Sequence, residues 1–422
     1  MPSKKEFILL HVRRHAGEVD WILPFLYKAS KKYKIITIFS NVHAYNSLRE
    51  NNDLCSLWKK INNSFYIQTK NKFILRLVSK ILTRFDNLRI LGRFIDKLNL
   101  FFLTEIHNFD FFFKKEFQDW SKIKMVLLTN NNFSFIPKYI KMKNQELKII
   151  RFPETTWPKP EKQLKKIKDS EINLNLLTNY YLLNHKKDKY LFGKSSENNL
   201  KQKIIFTGYL KYQKWWIKKI LSENSIKKPT NSFIILVITR PPRNIKKGDF
   251  SKESYRFLVS SIMQISSKIK NSLVIFKTHP NTEGFETKFL KSILLNYNNK
   301  SWKVLNTHTL KLAKISDICI SFQTSACMDC LALNKFVIEY WLNKSDYNFL
   351  FKHNKKFISV FNYFGLVKSI DTKKKLENLI LKYRKSKKSI SIKNQLYNFS
   401  KLNKKETNIN ELINYISKNG KV

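Results

Sequence analysis

The sequence predicts an α/β protein made of two parallel-sheet domains in tandem. Three observations predict it. The chain has 422 residues, too many for one ordinary domain and comfortable for two of about 200 each. Apolar runs of strand length alternate with helical patterns from end to end, as a parallel sheet covered by helices requires. That alternation stops at a polar connector and then restarts.

In the first half, strands are expected at Phe7–Val12, Ile35–Ser40, Phe101–Ile106, Met125–Thr129, Leu147–Phe152 and Leu174–Leu177, with a shorter piece at Ile204–Thr207. These are short, nearly continuous apolar runs, the pattern of strands buried on both faces. Helical stretches lie between them, including Val19–Tyr33 and Phe73–Leu98. A Lys/Asn/Ser-containing connector, Lys218 to Asn231 and punctuated by Pro229, separates the halves. The second half then predicts strand Phe233–Thr239, helix Tyr255–Ile269, strand Ser272–Lys277, helix Phe285–Tyr297 and strand Trp302–Leu305. A short helix, strand Ile318–Phe322, helix Thr324–Leu333 and strand Phe336–Tyr340 follow. Lys373–Lys385 and Ile409–Lys418 close the chain as helices, and C-terminal helices are expected to pack back on the first domain. The expected division is 1–228, 229–388 and a helical tail 389–422, with no solenoid repeat.

Composition narrows the function classes. Hydrophobic residues make up 43% of the chain, enough for large cores and against disorder. The formal charge of +49 attracts anions of any kind. Lys, Asn, Ile and Phe are over-used together, as in A/T-rich coding sequence, so part of the Lys excess is surface filler. The chain carries no zinc finger, RNP-like motif or basic arm, which argues against a nucleic-acid partner. Four cysteines are too few for a disulfide framework. Cys327 and Cys330 form a C-x-x-C inside an apolar helix, where core packing is expected over a metal or redox role. No cleavable signal pattern opens the chain, and Lys72 to Phe113, its most apolar stretch, is broken by Arg or Lys every few residues. A cytoplasmic protein, peripheral at most to an anionic membrane surface, is expected.

The eight glycines are too dispersed to write a G-x-G-x-x-G or a P-loop. An anion site must therefore rest on a Ser/Thr-dressed helix start and basic side chains. The second half supplies such residues at three strand ends. Arg240-Pro-Pro-Arg243 follows the strand Phe233–Thr239 and offers guanidinium forks. Lys277 and His279 end the strand that begins at Ser272, with Pro280 beside them. A His held there donates to a phosphate oxygen or protonates it as a leaving group. Thr324 and Ser325 open the helix after Ile318–Phe322, where their hydroxyls either cap the helix or meet an anion. Asp329 follows on the same helical face and can accept from a ribose diol. All of these lie at carboxyl ends of strands, where open α/β sheets bind ligands.

The ordered pair K-x-H-P (Lys277–Pro280) and S-D-x-x-I-S-x-x-T-S-x-x-x-D (Ser316–Asp329) resembles the nucleotide-binding half of bacterial surface-polysaccharide transferases. Similar groups are the CDP-glycerol glycerophosphotransferases, the capsule-polysaccharide transferases and the HP-motif sialyltransferases. The resemblance spans roughly Phe233–Trp341. It implies a GT-B architecture, two Rossmann-like domains facing a cleft. It also implies that His279 with Thr324 and Ser325 binds donor phosphates, and that Asp329 touches ribose. The glycerophosphotransferase turn carries Asp and Tyr where Phe322 and Gln323 stand. The DSGG-type turn of UDP-GlcNAc 2-epimerases is absent.

The first half is expected to serve the acceptor. The loop after the first strand reads Arg13-Arg14-His15-Ala16-Gly17-Glu18. His15, Glu18 and Asp20 are candidates for the base that removes an acceptor proton. Glu18 equally suits a carboxylate answering the helix dipole. Arg13 is a phosphate or acidic-sugar contact, and Glu154, after the strand ending at Phe152, is the second-choice base. Leu88–Leu98 has one apolar and one basic face, fitting either sheet packing or a lipid surface. Trp215 and Trp216 either pack a hinge or stack on a sugar. The leading expectation is a metal-independent, inverting glycosyltransferase that needs no cofactor. It would take a nucleotide-sugar donor of CMP, CDP or UDP type and a polysaccharide or lipid-linked acceptor. The alternatives are a CDP-glycerol-type transferase, a UDP-GlcNAc 2-epimerase-like enzyme and a non-enzymatic nucleic-acid binder.

Overall fold

The computed structural model describes residues 6–68, 109–117, 119–129, 135–153, 178–185, 204–242, 251–279, 284–297, 301–341, 351–353, 356–386, 392–403 and 405–418. The expected strands Phe101–Ile106 and Leu174–Leu177, the helix Phe73–Leu98 with its amphipathic part Leu88–Leu98, and the site candidates Arg243 and Glu154 lie outside these residues.

The first sheet is formed by β1 (Phe7–Val12), β2 (Lys34–Phe39), β3 (Asn62–Ile67), β4 (Ile123–Leu128), β5 (Lys148–Arg151), β6 (Tyr180–Leu183) and β7 (Ile204–Phe206). Its order is β3-β2-β1-β4-β5-β6-β7, with every pairing parallel. The second sheet is formed by β8 (Phe233–Ile238), β9 (Ser272–Lys277), β10 (Trp302–Val304), β11 (Ile318–Ser321) and β12 (Phe336–Tyr340), with β15 (Lys368–Ile370) at its edge. Its order, β10-β9-β8-β11-β12-β15, is again wholly parallel. A separate hairpin joins β13 (Phe351–His353) and β14 (Lys356–Ile358). Both large sheets are doubly wound, and the order reverses between β1 and β4 in one and between β8 and β11 in the other. Those reversals open the crevices where such folds hold ligands.

The apolar runs become central strands because each face meets its own core. In β8 every residue is buried. Ile235 and Val237 enter the cluster that includes Tyr255, Val259 and Phe276. Ile234, Leu236 and Ile238 enter the opposite one with Leu312, Cys319 and Met328. This is the period-2 split of a strand covered on both sides. Cys327 and Cys330 sit in that second cluster, fully buried, and burial pushes both thiols well above the usual range.

The sequence pattern misses β3, β6 and β15 together with the hairpin strands β13 and β14. β3 and β15 are edge strands, whereas β6 lies inside the first sheet and has no counterpart among the expected strands. β3 begins Asn-Asn-Ser and alternates half-buried with exposed residues, so no apolar run announces it. The connector also holds more structure than expected, since its first residues belong to a helix, Lys214–Ser222. The tail divides its packing. Helix Lys393–Leu402 lays Phe399 and Leu402 on the second lobe's core. Helix Ile409–Ser417 returns to the first lobe, adding Ile409, Leu412, Ile413 and Ile416 to the core around β1. Among the described residues no helix is long and apolar enough to cross a membrane.

Candidate functional site

The register of the second sheet brings the three predicted strand ends level. Ile238 pairs with Lys277 on one side and with Ser321 on the other. Arg240, Lys277, His279, Thr324 and Ser325 accordingly border one cavity of about 240 Å³. Its opposite wall comes from the first lobe, with His15, Gly17, Asp20 and Trp21 among its residues. The His15 and His279 rings meet edge to face, 5.8 Å between centroids.

The turn after β11 departs from the expected helix start. The helix covers Cys327–Leu331, not Thr324–Leu333. Gln323 adopts a left-handed conformation with φ of 53°, and the Thr324 amide donates to Ser321 Oγ at 3.2 Å. Cys327, Met328 and Asp329 then each donate to the carbonyl three residues back. The chain enters the helix through a tight turn, which leaves the Ser325 amide and hydroxyl without an acceptor among the described residues. So short a helix contributes little dipole, and anion attraction here depends on side chains.

Those side chains are cationic and constrained. Arg240 Nη1 donates to the Gln323 carbonyl at 3.3 Å, tying the β8 and β11 ends together. Lys277 is only 6% exposed. Burial pushes its ammonium down to about 8, against the attraction of Glu286 and Asp20. The His279 amide donates to Glu286 Oε2 at 2.8 Å, while Glu286 Oε1 accepts from Thr239 and Tyr255. Burial raises the Glu286 carboxyl to about 7. Glu286 therefore fixes the backbone that carries His279, a role no motif announces.

The fold is GT-B. Two doubly wound parallel sheets face one cavity at the carboxyl ends of their central strands, and solved structures share the arrangement over nearly the whole chain. The S. aureus MnaA structure with UDP matches with a TM-score of 0.54 at 12% identity, covering 97% of this chain and 96% of that one. UDP-GlcNAc 2-epimerase from Neisseria meningitidis, bound to UDP-GlcNAc, matches at 0.54 and 13%, covering 98% and 97%. The wall teichoic acid polymerase TagF matches at 0.55 and 12%, covering 99% and 89%. At these identities the likeness is one of fold. No protein-family model matches the chain, and no curated protein matches it.

Within the GT-B cleft, several predicted residues have unexpected partners. His15 is the N-cap of the first helix, Ala16–Ala29, and its Nδ1 accepts from the Gly17 amide at 3.1 Å. Burial, with Arg14 and His43 nearby, lowers its pKa to about 4. Burial keeps the ring neutral, and with Nδ1 accepting from Gly17 the neutral ring carries its proton on Nε2. Glu18 is not part of the cavity wall. Its oxygens accept from the Arg13 and Arg14 amides at 2.7 and 3.1 Å, holding the His15 loop in shape. Burial raises its pKa. Arg13 also stays off that wall, with Nη1 buried and without a hydrogen-bond partner among the described residues. Asp329 borders the cavity, but Lys211 and Tyr212 already donate to its oxygens. Trp216 is buried in the first lobe's core, and Trp215 packs against Tyr27 beneath the Lys28 ammonium. Both tryptophans serve packing.

Sequence reasoning missed the charges that join the lobes. Lys211, in the tight turn Leu210–Tyr212 after β7, bridges Asp20 at 2.5 Å and Asp329 at 2.9 Å. His308, which caps the helix Thr309–Ile315, accepts the Leu310 amide on Nδ1 and so donates from Nε2 to Asp20 at 3.0 Å. Its own amide donates to Asp53, which also pairs with Lys311. Burial opposes the Asp20 charge, but Lys211 and His308 outweigh it and hold the carboxyl well below the usual range. Lys211 is likewise raised, because Asp20 and Asp329 outweigh its burial. Buried polar and charged residues with no local motif were the available signal. Their partners lie more than a hundred residues away, so spacing could not pair them.

Proposed function

We propose that this chain is a glycosyltransferase that moves a sugar from a nucleotide-activated donor to a surface-polysaccharide or lipid-linked acceptor. The observation that carries the reading is the convergence of Arg240, Lys277, His279 and the Thr324–Ser325 turn on one cavity walled by the other lobe. Cations and hydroxyl donors gathered at one sheet edge suit a diphosphate, and fixed donors stabilise the charge that develops on a leaving phosphate. The Lys277 ammonium gives up hydration on burial, so an arriving anion gains a strong interaction with it. His279 donates to the leaving oxygen, and neutral His15 orients the acceptor from the opposite lobe. Glu18 keeps the His15 loop in place. The GT-B neighbours solved with UDP and with UDP-GlcNAc lend support to a nucleotide-sugar ligand.

A thermal-shift screen with CMP, CDP, UDP, GDP and their sugar conjugates tests the reading. One nucleotide series should stabilise the protein by about 2.7 kcal/mol at a hundredfold excess over Kd, and His279→Ala and Ser325→Ala should each shrink that shift. No response to any nucleotide would refute it. Product analysis separates the related activities. Turnover of CDP-glycerol would assign a glycerophosphotransferase, and acceptor-free conversion of UDP-GlcNAc an epimerase. Tight, salt-sensitive DNA binding without a nucleotide response would favour nucleic acid.

A further inference from the structure

We propose that Gln323 reads the sugar carried on the donor phosphate, and so sets which glycosyl group the site accepts. The inference rests on the nucleotide-sugar reading above and goes beyond it to a residue and a ligand group. Gln323 borders the cavity and is 2% exposed. Neither its Nε2 nor its Oε1 has a hydrogen-bond partner among the described residues. A buried amide lacking both partners bears the desolvation penalty of each unsatisfied end. Its backbone adds to this, since φ of 53° is a region a side-chain-bearing residue occupies at a cost. Two unfavourable features at one cavity residue mark a position shaped by something other than folding.

The chemistry of the missing partner follows from the amide itself. Nε2 donates and Oε1 accepts, so the ligand must bring an acceptor and a donor on neighbouring atoms. An ionised phosphate offers acceptors only. It suits Lys277, Arg240 and the turn hydroxyls, but it leaves Oε1 unmatched. The Gln323 backbone carbonyl accepts from Arg240, and Gln323 lines the cavity together with Arg240 and Lys277, next to the proposed phosphate seat. The groups next to that phosphate in a nucleotide sugar are the substituents of the sugar ring adjoining the carbon that bears it. A hydroxyl or an acylamino group there carries both a donor and an acceptor. The nucleoside's own hydroxyls lie further along the chain of bonds.

Calorimetric titration of the full chain with UDP, UDP-N-acetylglucosamine, CDP and CDP-glucose tests this. The wild type should bind a sugar conjugate more tightly than its parent nucleotide. Gln323→Met, close in size but without the amide, should weaken the conjugate about tenfold, the equivalent of about 1.4 kcal/mol, and leave the nucleotide unchanged. Gln323→Gly should lose the same margin while raising the melting temperature, because glycine relieves the left-handed backbone. A purely structural role for Gln323 would instead lower it. Equal weakening of nucleotide and conjugate, or no change in either, overturns the proposal while leaving the nucleotide-sugar reading intact. Failure of the wild type to bind any of the four ligands, and likewise CMP, GDP and their sugar conjugates, overturns both.

Discussion

At Lys277 the proposed anion binding and the stability of the fold pull in opposite directions. Its ammonium is charged below about pH 8 and neutral above it. Anion affinity should therefore fall as pH rises through 8, and a bound anion moves that midpoint upward. Lys277→Arg, charged throughout this range, should abolish the fall in a UDP titration run from pH 6 to pH 10. The stability sign is opposite. Between about 8 and the ordinary lysine value of 10.5 the unfolded chain binds more protons, so stability rises with pH across that window. Lys277→Met should remove this rise and make the protein more stable at pH 7, by about 3 kcal/mol, while losing anion binding. Lys211 is the converse case, a buried ammonium with both flanking carboxylates satisfied. Lys211→Met leaves Asp20 and Asp329 buried without their shared partner, and denaturant unfolding should register a loss of about 3–5 kcal/mol.

At the scale of elements, the link between the first strand and its helix is the informative case. Gly17 lies in the first turn of the Ala16–Ala29 helix, where alanine would ordinarily stabilise by about 0.5–1 kcal/mol. Here a Cβ would come within 2.8 Å of the His15 ring. Gly17→Ala should therefore destabilise the protein and displace the ring from the cavity. The double variant Gly17→Ala/His15→Ala removes the clash, and thermal melts should show it recovering part of the loss. A Gly17→Ala variant as stable as the wild type would show that the ring moves aside freely. The turn after β11 obeys the same logic of close fit. Ser321 takes the Thr324 amide that a longer helix would have needed capped, so the helix begins later and the hydroxyls of Thr324 and Ser325 remain at the cavity's edge.

Across the whole molecule, the two lobes are fastened by charged residues in the cavity wall and by the returning tail. The helix Ile409–Ser417 buries Ile409, Leu412, Ile413 and Ile416 in the first lobe's core, and Tyr33 shares a hydrogen bond with Ser417. Fully burying each such side chain contributes about 1.5–3 kcal/mol. A chain ending at residue 406 should therefore lose cooperativity. Calorimetry should then show a first-lobe transition moved to lower temperature ahead of the second, where the intact chain shows the two closer together. Unchanged melting after truncation would place the tail outside the folding unit.

Most interior strands of both sheets were legible in order because a strand covered on both faces must be apolar along its length, although interior β6 at Tyr180–Leu183 was not among them. Phe7–Val12, Ser272–Lys277 and Phe336–Tyr340 emerge with their expected limits. That the residues after β8, β9 and β11 share one edge was legible too, since the central strands of a doubly wound sheet end level. Edge strands such as Asn62–Ile67 escaped notice, because solvent on one side removes the apolar requirement. Only the tertiary structure could match Lys211 to Asp20 and Asp329, set Glu286 behind His279, turn Glu18 to its own loop and leave the Gln323 amide unpaired. Local pattern records what each segment needs to bury, while ion pairs, desolvation and orphaned polar atoms arise from contacts between segments that the chain order keeps far apart.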